Sequence, residues 1–144
     1  MFRADKLKSM ENPTFDREVV VLLAEEDPIV RAMLERLLKQ GGYDLIVAES
    51  GQDALQKSAE HKGRIDLLVC TIQMPGLTGS DLAAEIRRAR PELKVMLTSS
   101  FPQGLLVLDT GWQFIRKPFL PKVLIEKIVE LLKKPPSPNA DRSA

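Results

Sequence analysis

Short apolar runs alternate with amphipathic stretches along most of the chain, and this alternation constrains the fold more than any other feature. The runs VVVLLA at residues 19–24 and IDLLVCTI at 65–72 are mostly apolar without strict alternation, as in strands that are covered on both faces. Between them, apolar residues recur at intervals of three and four, which is the period of a helix with one buried face. Strands that alternate with helices predict right-handed crossovers and a parallel sheet with helices on both faces.

Five strands are expected, at residues 19–24, 45–48, 65–72, 95–98 and 114–116. The first helix is expected to begin after Asp27 and Pro28, an N-cap followed by a proline in the first turn, and to end at Gly41. Its inner face is expected to carry Val30, Met33, Leu34, Leu37 and Leu38. Three more helices follow the second, third and fifth strands. By the same rhythm residues 99–113 should hold a helix, but their proline and glycines leave room for a turn or two at most.

The composition fits one globular domain. A chain of 144 residues with 44% hydrophobic and 28% charged residues can bury one core. Residues 1–17 lack periodicity and residues 135–144 are rich in proline and serine, so both are interpreted as tails or linkers around a domain at 18–134. The 21 Lys and Arg against 20 Asp and Glu leave a net charge of +1, which argues against direct nucleic-acid binding through a basic surface.

Counts of single residue types exclude further classes. One cysteine and one histidine exclude a disulfide framework and a metal centre built from several histidines. No run approaches the roughly 18 apolar residues of a membrane span, and the first residues lack the apolar core of a secretory signal. The sequence therefore predicts a soluble cytoplasmic protein that does not insert into a membrane.

Polar side chains follow the predicted strands at their carboxyl ends, where open parallel sheets bind ligands. Glu25 and Glu26 follow the first strand, Thr71 and Thr98 lie near the ends of the third and fourth, and Lys117 follows the fifth. Paired carboxylates suit a Mg²⁺ ion, which prefers oxygen ligands. A lysine beside a hydroxyl suits a phosphoryl oxygen.

These segments resemble the receiver domain of two-component response regulators over about residues 18–134. The matching stretches are VVVLLAEEDPIVR, IQMPGLTG, LTS and FIRKPF. The resemblance implies a flavodoxin-like α/β fold with a five-stranded parallel sheet in the order 2-1-3-4-5 and a cis peptide bond before Pro118. It also implies Mg²⁺-dependent transfer of a phosphoryl group from a histidine kinase or phosphotransfer protein to an aspartate, and contact with an output protein. The domain is then a signalling module rather than an enzyme, and a homodimer stays open.

The resemblance assigns roles to five of these residues. Glu25 and Glu26 match the acidic pair that binds the metal, and Lys117 matches the family's lysine. Thr98 matches the hydroxyl residue that contacts the phosphoryl oxygen, and Phe114 matches the aromatic residue that changes rotamer with it.

The departure from the family pattern lies at the phosphoacceptor. The family's aspartate corresponds to Thr71, whose hydroxyl is neither ionised nor nucleophilic without a base. Asp66 lies about 16 Å away at the other end of the same strand, Asp27 is expected to be an N-cap, and Asp81 lies on the next helix. With two carboxylates instead of three, Mg²⁺ binding is expected to be weakened. The longer glutamate side chains allow one carboxylate to pair with Lys117.

Three functions remain open at this point. The first is a pseudo-receiver that binds partners without aspartate phosphorylation. The second is a working receiver that is phosphorylated at another residue, such as Asp27 or Thr71. The third is a flavodoxin-type cofactor binder, although the acidic loop formed by Glu25, Glu26 and Asp27 repels phosphate in the absence of a cation.

Overall fold

All five predicted strands are present in the structure, a computed structural model that describes residues 18–100 and 112–133. The strands are β1 (Val20–Ala24), β2 (Asp44–Ala48), β3 (Leu67–Thr71), β4 (Lys94–Ser99) and β5 (Trp112–Arg116). The helices of the described residues are α1 (Pro28–Gln40), α2 (Gly51–Glu60), α3 (Gly79–Ala89) and α4 (Pro121–Lys133). The predicted tails, and most of the ambiguous segment 99–113, lie outside the described residues.

The strands pair in parallel in the order β2-β1-β3-β4-β5, which confirms the predicted topology. The chain leaves β1 towards β2 on one side and later returns to β3 on the other side. This reversal of direction places a crevice at the carboxyl ends of β1 and β3. Every residue of β3 and β4 is buried, which explains why both strands contain consecutive apolar residues rather than an alternating pattern.

Two core clusters form, one on each face of the sheet. The first packs α2 and α3 against one face and includes Leu22, Leu68, Leu82, Ile86 and Leu97. The second packs α1 and α4 against the other face and includes Leu23, Leu34, Leu38, Leu124 and Ile128. Successive strand residues point to opposite faces, so neighbouring positions in β1 supply both clusters.

Helix α1 begins as the sequence predicts. The Asp27 carboxylate accepts hydrogen bonds from the backbone N–H groups of Ile29 and Val30, and Pro28 occupies the first turn. One assignment to the inner face was wrong, because Met33 is 47% exposed. The buried stripe is centred on Leu34 and Leu38, and Met33 lies at its border because successive helical residues are about 100° apart.

No helix in the described ranges is long and apolar enough to cross a membrane. The cytoplasmic location expected from the sequence stays a prediction.

Candidate functional site

One ammonium group joins the carboxyl ends of three strands. The Lys117 Nζ, which follows β5, donates hydrogen bonds to Glu25 Oε1 at 3.0 Å and to Thr71 Oγ1 at 3.3 Å. Glu25 follows β1 and Thr71 ends β3. The sheet order therefore brings together residues that are 92 and 46 positions apart in the sequence.

Glu25 is the most buried carboxylate of this crevice. The residue is 2% exposed, and its side chain forms an ion pair with a lysine side chain that is 19% exposed. Its second oxygen, Oε2, accepts a hydrogen bond of 3.2 Å from the backbone N–H of Asp27. Both carboxylate oxygens are therefore engaged by groups of the chain itself, which is the arrangement that a buried charge requires.

Glu26 is exposed, and within the described part of the chain no partner is seen for its carboxylate. The loop that carries both glutamates is held by Arg31, whose Nη1 donates to the backbone oxygens of Glu25 at 2.8 Å and Glu26 at 3.3 Å. Arg31 was not among the residues predicted from the sequence. Its position in the first turns of α1, just after three acidic residues, was the signal that could have identified it.

Thr71 and Thr98 lie side by side in the register of β3 and β4. Both are almost completely buried, at 3% and 1% exposure. The Thr98 hydroxyl has no hydrogen-bond partner among the described residues. Helix α3 begins directly against Thr71, since a Cβ atom on Gly79 would overlap the Thr71 carbonyl group. A glycine at the start of α3 therefore permits this close approach.

The family of the chain follows from a comparison over most of its length. Residues 21–129 match the family model described as the response regulator receiver domain. The chain belongs to this family. The predicted receiver fold is thereby confirmed, and the match argues against a flavodoxin-type cofactor binder.

Relatives of this receiver domain include both short and long proteins. The sensor kinase CckA of Brucella abortus is 32% identical over 136 residues, which cover 91% of this chain but 14% of the kinase. The chemotaxis protein CheY of Thermotoga maritima is 29% identical over 118 residues, which cover 78% of this chain and 97% of that protein. This receiver domain thus matches a small part of one relative and nearly all of another.

Solved structures show the same fold. The receiver domain of the hybrid histidine kinase CckA has a TM-score of 0.70 at 32% identity, covering 79% of this chain and 99% of that one. The response regulator TrrA of Thermotoga maritima, solved in complex with Mg²⁺ and BeF, has a TM-score of 0.69 at 30% identity, covering 78% and 98%.

The side chains of this receiver domain, as they are arranged, do not fit a Mg²⁺ ion. Mg²⁺ requires near-ideal octahedral oxygen coordination and is usually held by carboxylates. Glu25 is engaged on both oxygens, and residue 71 offers a neutral hydroxyl that already accepts from Lys117. Across residues 18–100 and 112–133, no group of three or more His, Cys, Asp or Glu side chains could hold a metal.

The other aspartates lie where the sequence analysis expected them. Asp66, at the opposite end of β3, accepts from the Val20 N–H at 2.9 Å and pairs with Arg64 at 3.3 Å. Asp27 is the N-cap of α1, and Asp81 lies in the first turn of α3. None of the three is recorded in contact with Lys117, which is bonded to Glu25 and Thr71.

The resemblance also implied a cis peptide bond before Pro118 and a switching role for Phe114. The peptide bond between Lys117 and Pro118 is cis, as the resemblance implies. Phe114 is 8% exposed and packs into the first core cluster. Strand alternation places the Thr71 and Thr98 side chains on the other face of the sheet from Phe114. Its role as a rotamer switch stays a prediction, as do the phosphate-contacting roles of Thr98 and Lys117.

Cys70 lies next to Thr71 but offers no reactive thiolate. Its side chain is buried, and this burial, with a smaller effect of the Glu25 charge, raises the pKa of the thiol far above its usual range. Since the thiolate is the reactive form of cysteine, Cys70 is a small core residue.

Proposed function

We propose that this receiver domain is a pseudo-receiver, which signals by binding partner proteins without accepting a phosphoryl group at residue 71. The observation that carries the proposal is the contact between Lys117 and Thr71. Residue 71 ends β3 beside the acidic loop, where the family resemblance expects an aspartate, and it presents a neutral hydroxyl instead. A protein that only binds its partners in this way is not an enzyme.

The surroundings of Thr71 support this proposal. Attack by a hydroxyl on a phosphoryl group requires a base that removes the hydroxyl proton. The side chain closest to this role is Lys117, and its ammonium group already donates a hydrogen bond to Thr71. His61, the single histidine, follows the C-terminus of α2, at the opposite edge of the sheet. Among the described residues, no side-chain base is seen in a hydrogen bond with the Thr71 hydroxyl.

The weakened Mg²⁺ site is the second part of the proposal. Lys117 supplies to Glu25 the positive charge that a metal would otherwise supply, so a divalent cation must displace an ammonium from a buried carboxylate. We expect Mg²⁺ to leave the unfolding temperature of the protein unchanged. In Thr71→Asp, which restores a third carboxylate, we expect Mg²⁺ to raise it, because a ligand of the folded state stabilises that state.

Exposed apolar side chains lie close in sequence to the loops that form this crevice. Three large apolar side chains of the described residues are exposed: Ile29 at 80%, Met33 at 47% and Leu120 at 69%. Ile29 and Met33 are one helical turn apart on α1, just after the acidic loop, and Leu120 follows Lys117 by three positions. We propose that a helix of a histidine kinase or phosphotransfer protein docks here, because exposed apolar side chains one helical turn apart can be buried against the apolar face of a partner helix.

The phosphoryl test uses acetyl phosphate or a beryllofluoride reagent with Mg²⁺. We expect no adduct on the natural protein and a stoichiometric adduct on Thr71→Asp, both measured by intact mass spectrometry. An acid-labile, stoichiometric adduct on the natural protein would contradict the proposal. Location of that adduct at Asp27 or Thr71 would instead establish the alternative, a working receiver that is phosphorylated at a non-standard residue.

The docking test measures binding to a panel of purified histidine kinase and phosphotransfer domains by calorimetry. Ile29→Ser and Leu120→Ser are expected to weaken any binding found by about tenfold or more, since buried apolar anchors dominate interfaces. Ala84→Ser, at an exposed position on α3 on the other face, is the control and should change nothing. Equal affinity for all variants would exclude this surface.

A further inference from the structure

Strand β2 forms one edge of the sheet within the described residues. Its sequence, DLIVA, is mostly apolar, and its three central residues are partly exposed. A short apolar edge strand with open backbone groups is a template for pairing with another strand. The protein therefore needs some feature that prevents such pairing.

The hydrogen bonds to β1 identify the open side of β2. The Asp44 N–H donates a hydrogen bond to the backbone oxygen of Val19, and the Ala48 oxygen accepts one from the Glu25 N–H. The even-numbered residues of β2 therefore direct their backbone groups towards β1. In a parallel strand the N–H and C=O groups of one residue point to the same side. The backbone groups of Val47 and Glu49 therefore point away from the sheet.

Two side chains of α2 bond to those outward groups. Lys57 Nζ donates to the Val47 oxygen at 2.7 Å, and Asp53 Oδ2 accepts from the Glu49 N–H at 3.1 Å. Lys57 and Asp53 also pair with each other at 3.1 Å. One ion pair thus covers an acceptor of the edge strand and a donor of the residue that directly follows it.

The pair differs from an ordinary ion pair on a helix surface. Glu35 and Lys39 on α1 have the same spacing and a distance of 3.0 Å, but no bond from either to a strand is seen among the described residues. Desolvation alone would raise the pKa of Asp53, yet the hydrogen bond from Glu49 and the Lys57 ammonium outweigh it, and the pKa lies below its usual value. The carboxylate form is therefore favoured where it bonds to the strand edge.

We propose that the Asp53–Lys57 pair is an edge cap that prevents β2 from pairing with β2 of a second copy of this chain. Two copies related by a two-fold axis would bring their identical edge strands together antiparallel. Such pairing would use the outward oxygen of Val47, which Lys57 occupies, and the N–H of Glu49, which Asp53 occupies. A second copy would have to break the Lys57 and Asp53 hydrogen bonds on both molecules before the new strand pairs form.

The test compares self-association by sedimentation velocity over a wide range of protein concentration. Lys57→Met keeps the aliphatic length and removes the ammonium, and Asp53→Ala removes the carboxylate. Each is expected to raise the association constant by about tenfold or more, because association no longer has to break that hydrogen bond on each of the two molecules. Lys39→Met is the matched control on α1 and should associate like the natural protein.

A second substitution identifies the surface. Val47→Pro removes an outward N–H that makes no bond to β1 and blocks the edge sterically, as proline does on natural edge strands. Added to Lys57→Met, it is expected to return the protein to the natural association constant. Circular dichroism selects the variants that remain folded. The proposal is overturned if the folded cap variants associate no more than the natural protein, or if Val47→Pro fails to reverse their association.

Discussion

Lys117 and Glu25 form a buried ion pair that closes the carboxyl edge of the sheet. Their charged atoms are 3.0 Å apart, and the glutamate side chain is 3% exposed. The same ammonium also donates a hydrogen bond to the hydroxyl of Thr71, so both of its observed partners are side chains of this protein. The buried Glu25 charge is therefore neutralised by a lysine of the same chain.

Breaking this pair is expected to destabilise the fold strongly. Lys117→Met leaves the Glu25 charge buried without its cation, and removal of one partner from a buried pair lowers the free energy of unfolding by about 3 kcal/mol or more. Lys122→Met, at an exposed position on α4, is the control. Urea unfolding measures both. The double variant Glu25→Gln, Lys117→Met should recover part of the loss, and a Lys117→Met protein as stable as the control would argue against the ion pair.

The buried hydroxyl of Thr98 is expected to reduce stability. It has no partner among the described residues, and a buried hydroxyl without a hydrogen bond is unfavourable by about 1 kcal/mol or more. Thr98→Val keeps the shape and removes the hydroxyl, so the free energy of unfolding should rise by about 1 kcal/mol. Thr71→Val is the matched comparison on the neighbouring strand. It should not raise the free energy of unfolding, because it removes a hydroxyl that accepts a hydrogen bond from Lys117. Equal effects at both positions would contradict this difference.

Tyr43 is expected to make the protein sensitive to alkaline pH. Burial raises the pKa of this phenol from 10.0 to about 12, so between these values the unfolded chain ionises while the folded one stays neutral. The unfolded state then binds fewer protons, and the free energy of unfolding falls from about pH 10 to about pH 12 and levels off above it. Because the chain has one tyrosine, tyrosinate absorbance follows this group directly. Tyr43→Phe should remove the part of this decrease in the free energy of unfolding that the phenol causes. A phenol that titrates near pH 10 in the folded protein would disprove the shift.

Arg90 connects helices α2 and α3 at the amino edge of the sheet. Its guanidinium donates to the backbone oxygens of Ser58, His61 and Gly63 at 2.9–3.0 Å. Arg90→Met removes all three bonds from carbonyl groups at the end of α2 and is expected to lower the free energy of unfolding by about 2 kcal/mol.

The control for Arg90 is Arg88→Met on the same helix. The Arg88 side chain is 80% exposed, and its ion pair with Glu85 has a distance of 3.8 Å, so its loss should change stability by less than about 0.5 kcal/mol. Thermal and urea unfolding give the comparison. Equal stabilities of the two variants would show that the Arg90 bonds do not hold the helices together.

Local sequence patterns predicted the elements and a parallel sheet, whereas the strand order was implied by the resemblance to receiver domains. Strands buried on both faces must be continuous apolar runs, which is why β1, β3 and β4 could be identified from composition alone. Asp27 followed by Pro28 predicted the start of α1, because capping depends on residues within one turn. The polar residues at the strand ends predicted the crevice, since parallel strands place their carboxyl ends at one edge.

The sequence by itself determined which side chains reach the crevice, but the tertiary structure decided which atoms bond there. That a glutamate could reach Lys117 was foreseen from its length, whereas the choice of Glu25, with Glu26 left exposed, depends on the direction of the loop that Arg31 holds. The edge cap on β2 and the exposure of Met33 were likewise invisible in the sequence. Helix capping and amphipathic periodicity depend on residues a few positions apart, so the local sequence predicts them. The contacts named here depend on strand register and helix rotation, which are set by the packing of the whole core.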